Sequence, residues 1–484
     1  MRSFILFLFV ALTSGVAFAQ IRFSGSNHIE YSHNSSDDVA RQAANRRDFF
    51  EDWTEGHAQY RRWRLGLRVE SHNAPPIFAP DQTIRKAGLT QRFIEYEASS
   101  LKLTLGHFYS LLGRGLTLRF YENRQLRHDA RIDGFKGEYV HKYFEAKLLA
   151  GQPINRENQR QKIFEAGELK LKPFKAIHLG GTMLTTHPDT KRRVSWGSFY
   201  AEINAKHGSI YGEYAQEDDP NAAQAPPRID QILGKRSGAG AAWYVNANIL
   251  LGAFSLSAEY KDYEDFEQFE GAYFNNPPLV AREHLYTLLN RHQLVQDADD
   301  EKGYAFEAAY PVIKDGVFTA QYSRTNDQAG AIKYEEYYSQ FEWTTPFDWE
   351  WFLAVARQDD PSARYLNFVN STTCALSDFN ALKIVYEHQH TKKFLDDQQF
   401  YDQALTVGFS HAPSWTLSFL GERTTEHRLQ TDYWLGGQLD WNFLKNFDLS
   451  LFAGSRRKGK VCAGGVCVIK PELEGVEVTL ITRF

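Results

Sequence analysis

The amino-acid sequence predicts an all-β protein: a transmembrane, antiparallel up-and-down β-barrel of about 24 strands (range about 22–26), with no separate plug domain. Three observations predict it. Alternation of period two repeats from end to end, short and long connections take turns along the chain, and the last strand closes on the terminal Phe484.

The N-terminus sets the compartment. Arg2 supplies a basic start, an apolar run extends from Phe4 to Leu12, and Ala17-Phe18-Ala19 precedes Gln20 as a cleavage pattern. Residues 1–19 are therefore expected to be a signal peptide and 20–484 a single barrel domain. No second run of about 18 apolar residues is present to form a membrane helix. A mean hydropathy of −0.49 and 24% charged residues fit a secreted soluble chain, and they fit a barrel equally, because half of each barrel strand faces a polar lumen. The 25 Tyr, 35 Phe and 10 Trp lean toward strands and membrane interfaces. A net charge of −5 gives no bulk attraction to nucleic acid, and none is expected as a partner.

Alternation then places the strands. Trp63, Leu65, Leu67 and Val69 lie on one face against Arg62, Arg64, Arg68 and Glu70. The pattern recurs at Leu250, Phe254, Leu256 and Tyr260, and again at Trp415, Leu417 and Phe419. The first eight strands are predicted at 22–31, 49–60, 62–71, 89–98, 101–109, 134–141, 143–151 and 163–172. The next eight fall at 175–185, 194–204, 208–216, 236–246, 249–260, 303–310, 316–325 and 333–344. The last eight fall at 348–358, 362–372, 378–390, 399–411, 414–424, 431–443, 446–457 and 472–484.

Tight connections are expected near Arg61-Arg62, Ser99-Ser100, His141-Lys142, Pro173-Phe174, Asn246-Ala247, Pro413 and Leu444-Lys445, and long polar segments at 110–133, 217–235 and 261–302. Leaving 49–60 and 362–372 as loops would give 22 strands, but short turns would then fall on opposite sides of the two barrel halves. Counting both as strands gives an even 24 and puts every short turn on one side.

The closing strand carries Val476, Val478, Leu480, Thr482 and Phe484 on one face, with Glu477, Thr479 and Arg483 opposite. It resembles the last strand of Gram-negative outer-membrane proteins, which implies recognition by the barrel assembly machinery through Phe484. Further segments carry a wider likeness: Gly106-His107-Phe108-Tyr109, Gly113-Arg114-Gly115-Leu116, Leu118-Arg119, Tyr121-Glu122 and Arg124. To these add Asn275-Asn276-Pro277-Pro278, Arg282-Glu283-His284, Asn290-Arg291, and the stretch from Gly454 to Cys467. Together they resemble an uncharacterised family of porin-like Gram-negative outer-membrane β-barrels. The resemblance implies the fold and an address in the cell outer membrane, with its lipid and lipopolysaccharide; it carries over no substrate and no catalytic residue.

The densest charged constellation is Arg114, Arg119, Arg124, Arg127 and Arg131 with Glu122, Asp129 and Asp133. Guanidinium forks inside a pore would bind carboxylate or phosphate and make a cationic constriction. The same residues would alternatively pair with carboxylates of the inner wall and tie the loop down. The segment 261–302 is long for a connection, and its Tyr263, Phe266, Phe269, Tyr273, Phe274, Leu285, Tyr286, Leu288 and Leu289 suit a lumen cover or a partner site. Asp297, Asp299, Asp300 and Glu301 read as a solvated acidic rim, since they lack the spacing of a calcium loop.

Cys462 and Cys467 are expected to form a disulfide on an outward hairpin, leaving Cys374 as a free thiol near a periplasmic turn. His388 and His390 are expected to line the lumen, and no metal or other cofactor is expected. Neither G-x-S-x-G, H-E-x-x-H nor a P-loop is present, so the chain does not read as an enzyme.

An empty barrel of this size would leak, since 16–18 strands already leave an aqueous channel. The expectation is a channel for solute or polymer constricted by its own inward-folded loops. The alternative is a non-conducting barrel that anchors or exports a periplasmic or surface partner protein.

Overall fold

A computed structural model describes residues 21–36, 46–73, 85–124, 128–154, 159–187, 193–218, 240–264, 266, 278–291, 300–427, 431–463 and 466–484. The expected signal peptide and most of the 217–235 segment lie outside them. Among the described residues, 24 strands join in one sheet. Each pairs antiparallel with the next, and the first strand, Ile21–Asn34, pairs both with Asp48–Tyr60 and with the last strand, Leu473–Arg483. Gly25 and Phe484 exchange backbone hydrogen bonds of 2.8 and 3.0 Å at that seam. A sheet whose first and last strands pair has no open edge, so every spanning backbone group is satisfied within the wall.

All 24 predicted strands are found, including Asp48–Tyr60 and Ala363–Ala375, the two that decide the parity. Two neighbours are displaced together. The strand expected at 236–246 runs over Ala241–Leu251 and the one expected at 249–260 over Phe254–Glu264, so the chain turns at Gly252, not at Asn246-Ala247. Asn246 reads as a turn residue in isolation, but here it stays in the ladder opposite Tyr211 and Glu259. Gly252 takes the left-handed φ of 62° that the tight turn needs.

The two faces differ as a membrane wall requires. Leu65, Leu67 and Val69 are exposed outward, whereas Arg68 and Glu70 on the same strand are buried inward. Outward aromatic residues mark both ends of the apolar band. At the short-turn end, Trp63 pairs with Tyr96, Trp343 with Trp351 and Trp415 with Trp441. Toward the long-loop end, Tyr304, Tyr322 and Tyr337 face one another across three strands. Such girdles sit at the membrane interfaces of an outer-membrane barrel, with the short turns periplasmic and the long loops extracellular. The lumen is not left to water: three short hairpins and one 3-10 turn from the extracellular side pack inside it.

Candidate functional site

The first inward loop leaves the strand Leu101–Phe108 and rejoins the wall at Arg131–Val140. Between them Ser110–Leu112 pairs with Leu118–Phe120, and Glu122–Asn123 with His128–Asp129. Alternation puts Leu112, Leu116 and Leu118 on one side, and all three are fully buried in a cluster with Ile132, Leu184 and Trp196 of the wall. Burying side chains of this size stabilises by about 1.5–3 kcal/mol each. Thr117 and Thr182 share a hydroxyl hydrogen bond of 2.8 Å across the same contact.

The loop tip is held by two carboxylates of the wall. The Gly113 N–H donates to Glu168 Oε1 at 3.2 Å, and the Arg114 N–H to Glu213 Oε2 at 2.9 Å. Glu213, itself fully buried, also accepts from Ser198 and Tyr211, each at 2.7 Å. Glu168 also accepts from Tyr200 at 2.7 Å and from Lys147 at 3.2 Å. Gly113 adopts φ 53°, and a Cβ there would stand 2.4 Å from Glu213 Oε1. Glycine meets this φ without strain, and any side chain there would have to displace the Glu213 carboxylate.

The candidate arginines are distributed around this loop. Arg114 stands over the Tyr211 ring at 4.9 Å and Arg119 over Tyr121 at 4.8 Å. Glu122 is the hub of a four-residue network: Arg68 grips it with both terminal nitrogens at 2.8 and 2.9 Å, and Arg124 Nε adds a bond of 2.9 Å. Arg124 then reaches Glu55 at 2.9 Å. Asp129 accepts from Tyr109 at 3.0 Å and from Arg131. Burial pushes the Asp129 carboxyl above its ordinary range, while Arg131 pulls it down.

Arg127 lies outside the described residues. Asp133 departs from the lumenal expectation: two residues above the outward Phe135, it shares the outward register and takes Arg160 and His107. The run from 114 to 133 crosses from loop into strand, and strand parity turns its last carboxylate to the outside.

The second inward loop, 278–291, packs on other strands. Arg282 bridges Glu307 at 2.5 Å and Glu259 at 3.1 Å, and His284 meets Glu336 at 2.7 Å. The 3-10 turn Leu288–Asn290 is gripped by its backbone: the Leu288 N–H donates to Glu387 at 2.7 Å, Gln389 donates to the Leu288 carbonyl at 2.7 Å, and Gln358 to that of Leu289 at 2.9 Å. Arg291 holds Glu422 with two bonds of 2.5 and 2.7 Å. Of the expected aromatic and apolar cover, Tyr263, Phe266, Leu288 and Leu289 are fully buried and Tyr286 packs on Phe352, while Leu285 stays exposed. Phe269, Tyr273 and Phe274 lie outside the described residues.

The Cys462–Cys467 disulfide is present, on the hairpin formed by Gly459–Ala463 and Val466–Lys470. The hairpin stands at the long-loop end of the barrel, between Phe447–Arg456 and Leu473–Arg483. It leans onto the second loop, where Asn290 Nδ2 donates to Cys462 Sγ at 3.3 Å, the Cys462 N–H donates to Thr287 at 3.0 Å, and Lys460 meets Glu283 at 2.5 Å. Both sulfurs lie against the buried Asn290 amide, at 3.3 and 3.7 Å. Cys374 is a free thiol near the short-turn end of its strand.

Two further expectations fail. His388 and His390 share the outward register of Ile384 and Tyr386, and both rings pack on Tyr401, at 5.4 and 4.7 Å. Glu301 is no solvated rim residue, being fully buried against Lys261, while Asp300 accepts from the Gln328 N–H at 2.6 Å. Asp297 and Asp299 lie outside the described residues. Among the described residues no group of three or more His, Cys, Asp or Glu is placed to hold a metal ion.

The residues that matter most and were not named as site residues from sequence are the wall acceptors Glu55, Glu168, Glu213, Glu336, Glu387 and Glu422, together with Arg68, which the alternation placed only on a polar face. Their trace in the sequence is a glutamate on the inward parity of strand after strand.

The solved structures most informative for this geometry are outer-membrane proteins. The translocation pore of the P pilus usher PapC aligns with a TM-score of 0.52 at 12% identity, covering 96% of this chain and 99% of that chain. An E. coli P pilus tip assembly intermediate, PapC-PapD-PapK-PapG, aligns at 0.57 and 11% identity, covering 96% of this chain and 60% of that chain. The siderophore receptor PirA of Pseudomonas aeruginosa aligns at 0.45 and 9%, covering 96% and 80%. At such identities the likeness is one of fold. No curated protein matches the sequence. The sequence does match the Family of unknown function (DUF6029) over residues 1–325 and 358–484, and the chain belongs to that family.

Proposed function

We propose that this chain is a non-enzymatic outer-membrane channel that passes solute or polymer through a large barrel narrowed by its own inward-folded loops. The observation that carries the reading is the anchoring of two loops to the lumen wall through Glu168 and Glu213 on one side and Glu336, Glu387 and Glu422 on the other. A carboxylate that accepts several backbone and side-chain donors holds its loop in one geometry. Arg114, Arg119, Glu122 and Arg124 then form the charged surface that a solute meets on the first loop, with the Asp129–Arg131 pair behind it. Inside a low-dielectric wall such charges act on a passing ion more strongly than in bulk water.

The P pilus usher likeness favours a second reading, in which the barrel serves a partner protein at the periplasmic or cell surface instead of conducting. Insertion would in either case use the C-terminal strand ending at Phe484, read by the assembly machinery. Purified protein in planar bilayers separates the two. Steady single-channel openings are expected for the channel, and their complete absence from correctly folded, inserted protein would reject it. Neutralising Arg119, Arg124 and Arg127 together is expected to lower anion preference in reversal-potential measurements. Unchanged selectivity with lowered thermal stability would reduce those residues to structural pairing.

A further inference from the structure

The outside of the barrel carries arginines just where the apolar wall ends. Tyr304, Tyr322 and Tyr337 form an outward row with centroids 5.8 and 4.7 Å apart. Arg324 lies opposite Tyr304, Arg357 opposite Tyr337, and Arg364 opposite Asp359, all on the outward register. Asp359 accepts from Arg357 Nη2 at 2.7 Å and from Arg364 through Nε at 2.8 Å and Nη2 at 3.2 Å. The carboxylate is the inner member, 12% exposed, while the two guanidinium side chains are 43% and 41% exposed. Arg357 also stands over the Tyr337 ring at 5.9 Å.

Two guanidinium groups thus share Asp359. Glu335 lies opposite Asp359 and takes Arg324 at 3.4 Å, so the outward row sets three guanidinium groups against two carboxylates and keeps a positive excess facing away from the wall. The same construction recurs elsewhere on the exterior, where Asp133 holds Arg160 and stands 3.8 Å from Arg92. There too the carboxylate is the inner member and the arginines are half-exposed. Lumenal arginines are arranged otherwise: Arg68 and Arg291 are buried and each gives both fork nitrogens to a glutamate.

We propose that the Arg357–Asp359–Arg364 cluster is a binding site for the phosphate groups of an outer-leaflet glycolipid. Interfacial tyrosines mark the level of the lipid headgroups, and the cluster lies beside them on the extracellular side. A guanidinium fork matches phosphate oxygens in geometry as well as charge. Asp359 fixes the two forks side by side, so their remaining donors converge on one anion without a further loss of side-chain freedom. A headgroup phosphate supplies the negative charge the cluster lacks, and its acyl chains run down the apolar strip formed by Val355, Leu366 and Phe368.

The test is native mass spectrometry of the folded, full-length protein in detergent, titrated with a bis-phosphorylated lipid A-type glycolipid. Wild-type protein is expected to retain the glycolipid, and the Arg357→Gln/Arg364→Gln variant to bind one fewer copy per barrel. Enzymatically dephosphorylated glycolipid should lose that same copy, and Arg62→Gln, at the periplasmic end, should keep it. Equal stoichiometry in the double variant, or equal binding of the dephosphorylated lipid, would overturn the proposal. Displacement by millimolar inorganic phosphate would also overturn it, because the site would then take a free anion and not a lipid. The heat-dependent gel shift reports whether each variant has folded, and Arg364→Lys, which keeps charge but loses the fork, is expected to weaken the same binding event if the double variant does not fold.

Discussion

At the scale of single residues, the wall carboxylates decide how the interior is filled. Glu213 is a common acceptor for the Arg114 N–H, Ser198 and Tyr211. Removing it leaves several buried donors without a partner, at a cost of about 1–3 kcal/mol for each one stranded. Glu213→Ala is therefore expected to lower the temperature of the heat-dependent gel shift, and an unchanged transition would show that the tip is held by its apolar contacts alone. Gly113 tests the other side of the same contact. Gly113→Ala combines an unfavourable positive φ with a Cβ placed 2.4 Å from Glu213 Oε1, so the tip must back away from the wall. Trypsin is expected to cut the folded variant after Arg114 while sparing wild type; equal protection of the two would remove the role assigned to the glycine.

At the scale of elements, strand parity sets what each position tolerates. Phe199 points outward from the middle of the strand Val194–Ala205, next to the inward Ser198. Phe199→Arg places a charge in the hydrocarbon and is expected to cost about 2–4 kcal/mol, read as a lower folded fraction on insertion into vesicles. Insertion as efficient as wild type would contradict the outward assignment. The same parity explains what the sequence discloses. Twenty-four strands are readable from alternation and loop asymmetry, because each strand repeats one physical demand, apolar outside and polar inside. Where a local turn motif competes with the ladder, as at Asn246, the ladder prevails and the reading shifts by a few residues. His388 and His390 mislead for a related reason: a polar pair on a strand suggests the lumen, but beside the interfacial Tyr401 a polar ring is equally at home outside. The inward loops stay hidden because their wall partners lie far along the chain, 99 residues for Arg114 and Glu213 and 131 for Arg291 and Glu422. The Cys462–Cys467 spacing discloses the bond and not the surface it packs against. Cys462→Ser with Cys467→Ser is expected to leave the barrel folded but to loosen the loop at Thr287 and Asn290, seen as faster hydrogen exchange at residues 284–291. Unchanged exchange there would show that the hairpin adds nothing to the loop's hold.

At the scale of the whole molecule, the two inward loops occupy complementary arcs. The first contacts the wall from Asp48–Tyr60 through Gly208–Asp218, by way of Glu55, Arg68, Glu168, Thr182 and Glu213. The second contacts it from Phe254–Glu264 through Trp415–Thr424, by way of Glu259, Glu307, Glu336, Glu387 and Glu422. Each has its own buried apolar cluster, one centred on Leu112, Leu116 and Leu118 and the other on Leu289 and Phe352. The two touch at Tyr263, which sits in the first cluster and donates to the Pro278 carbonyl, but their carboxylate anchors share no partner, and changes at sites without shared partners add. Replacing 110–129 by a short Gly-Ser link is therefore expected to raise single-channel conductance, replacing 278–291 likewise, and both together by close to the sum of the two increments. If either deletion alone gave the full conductance of the double deletion, the loops would obstruct one common passage in series. If neither changed it, the proposed narrowing by these loops would be wrong while the closed barrel remained as described.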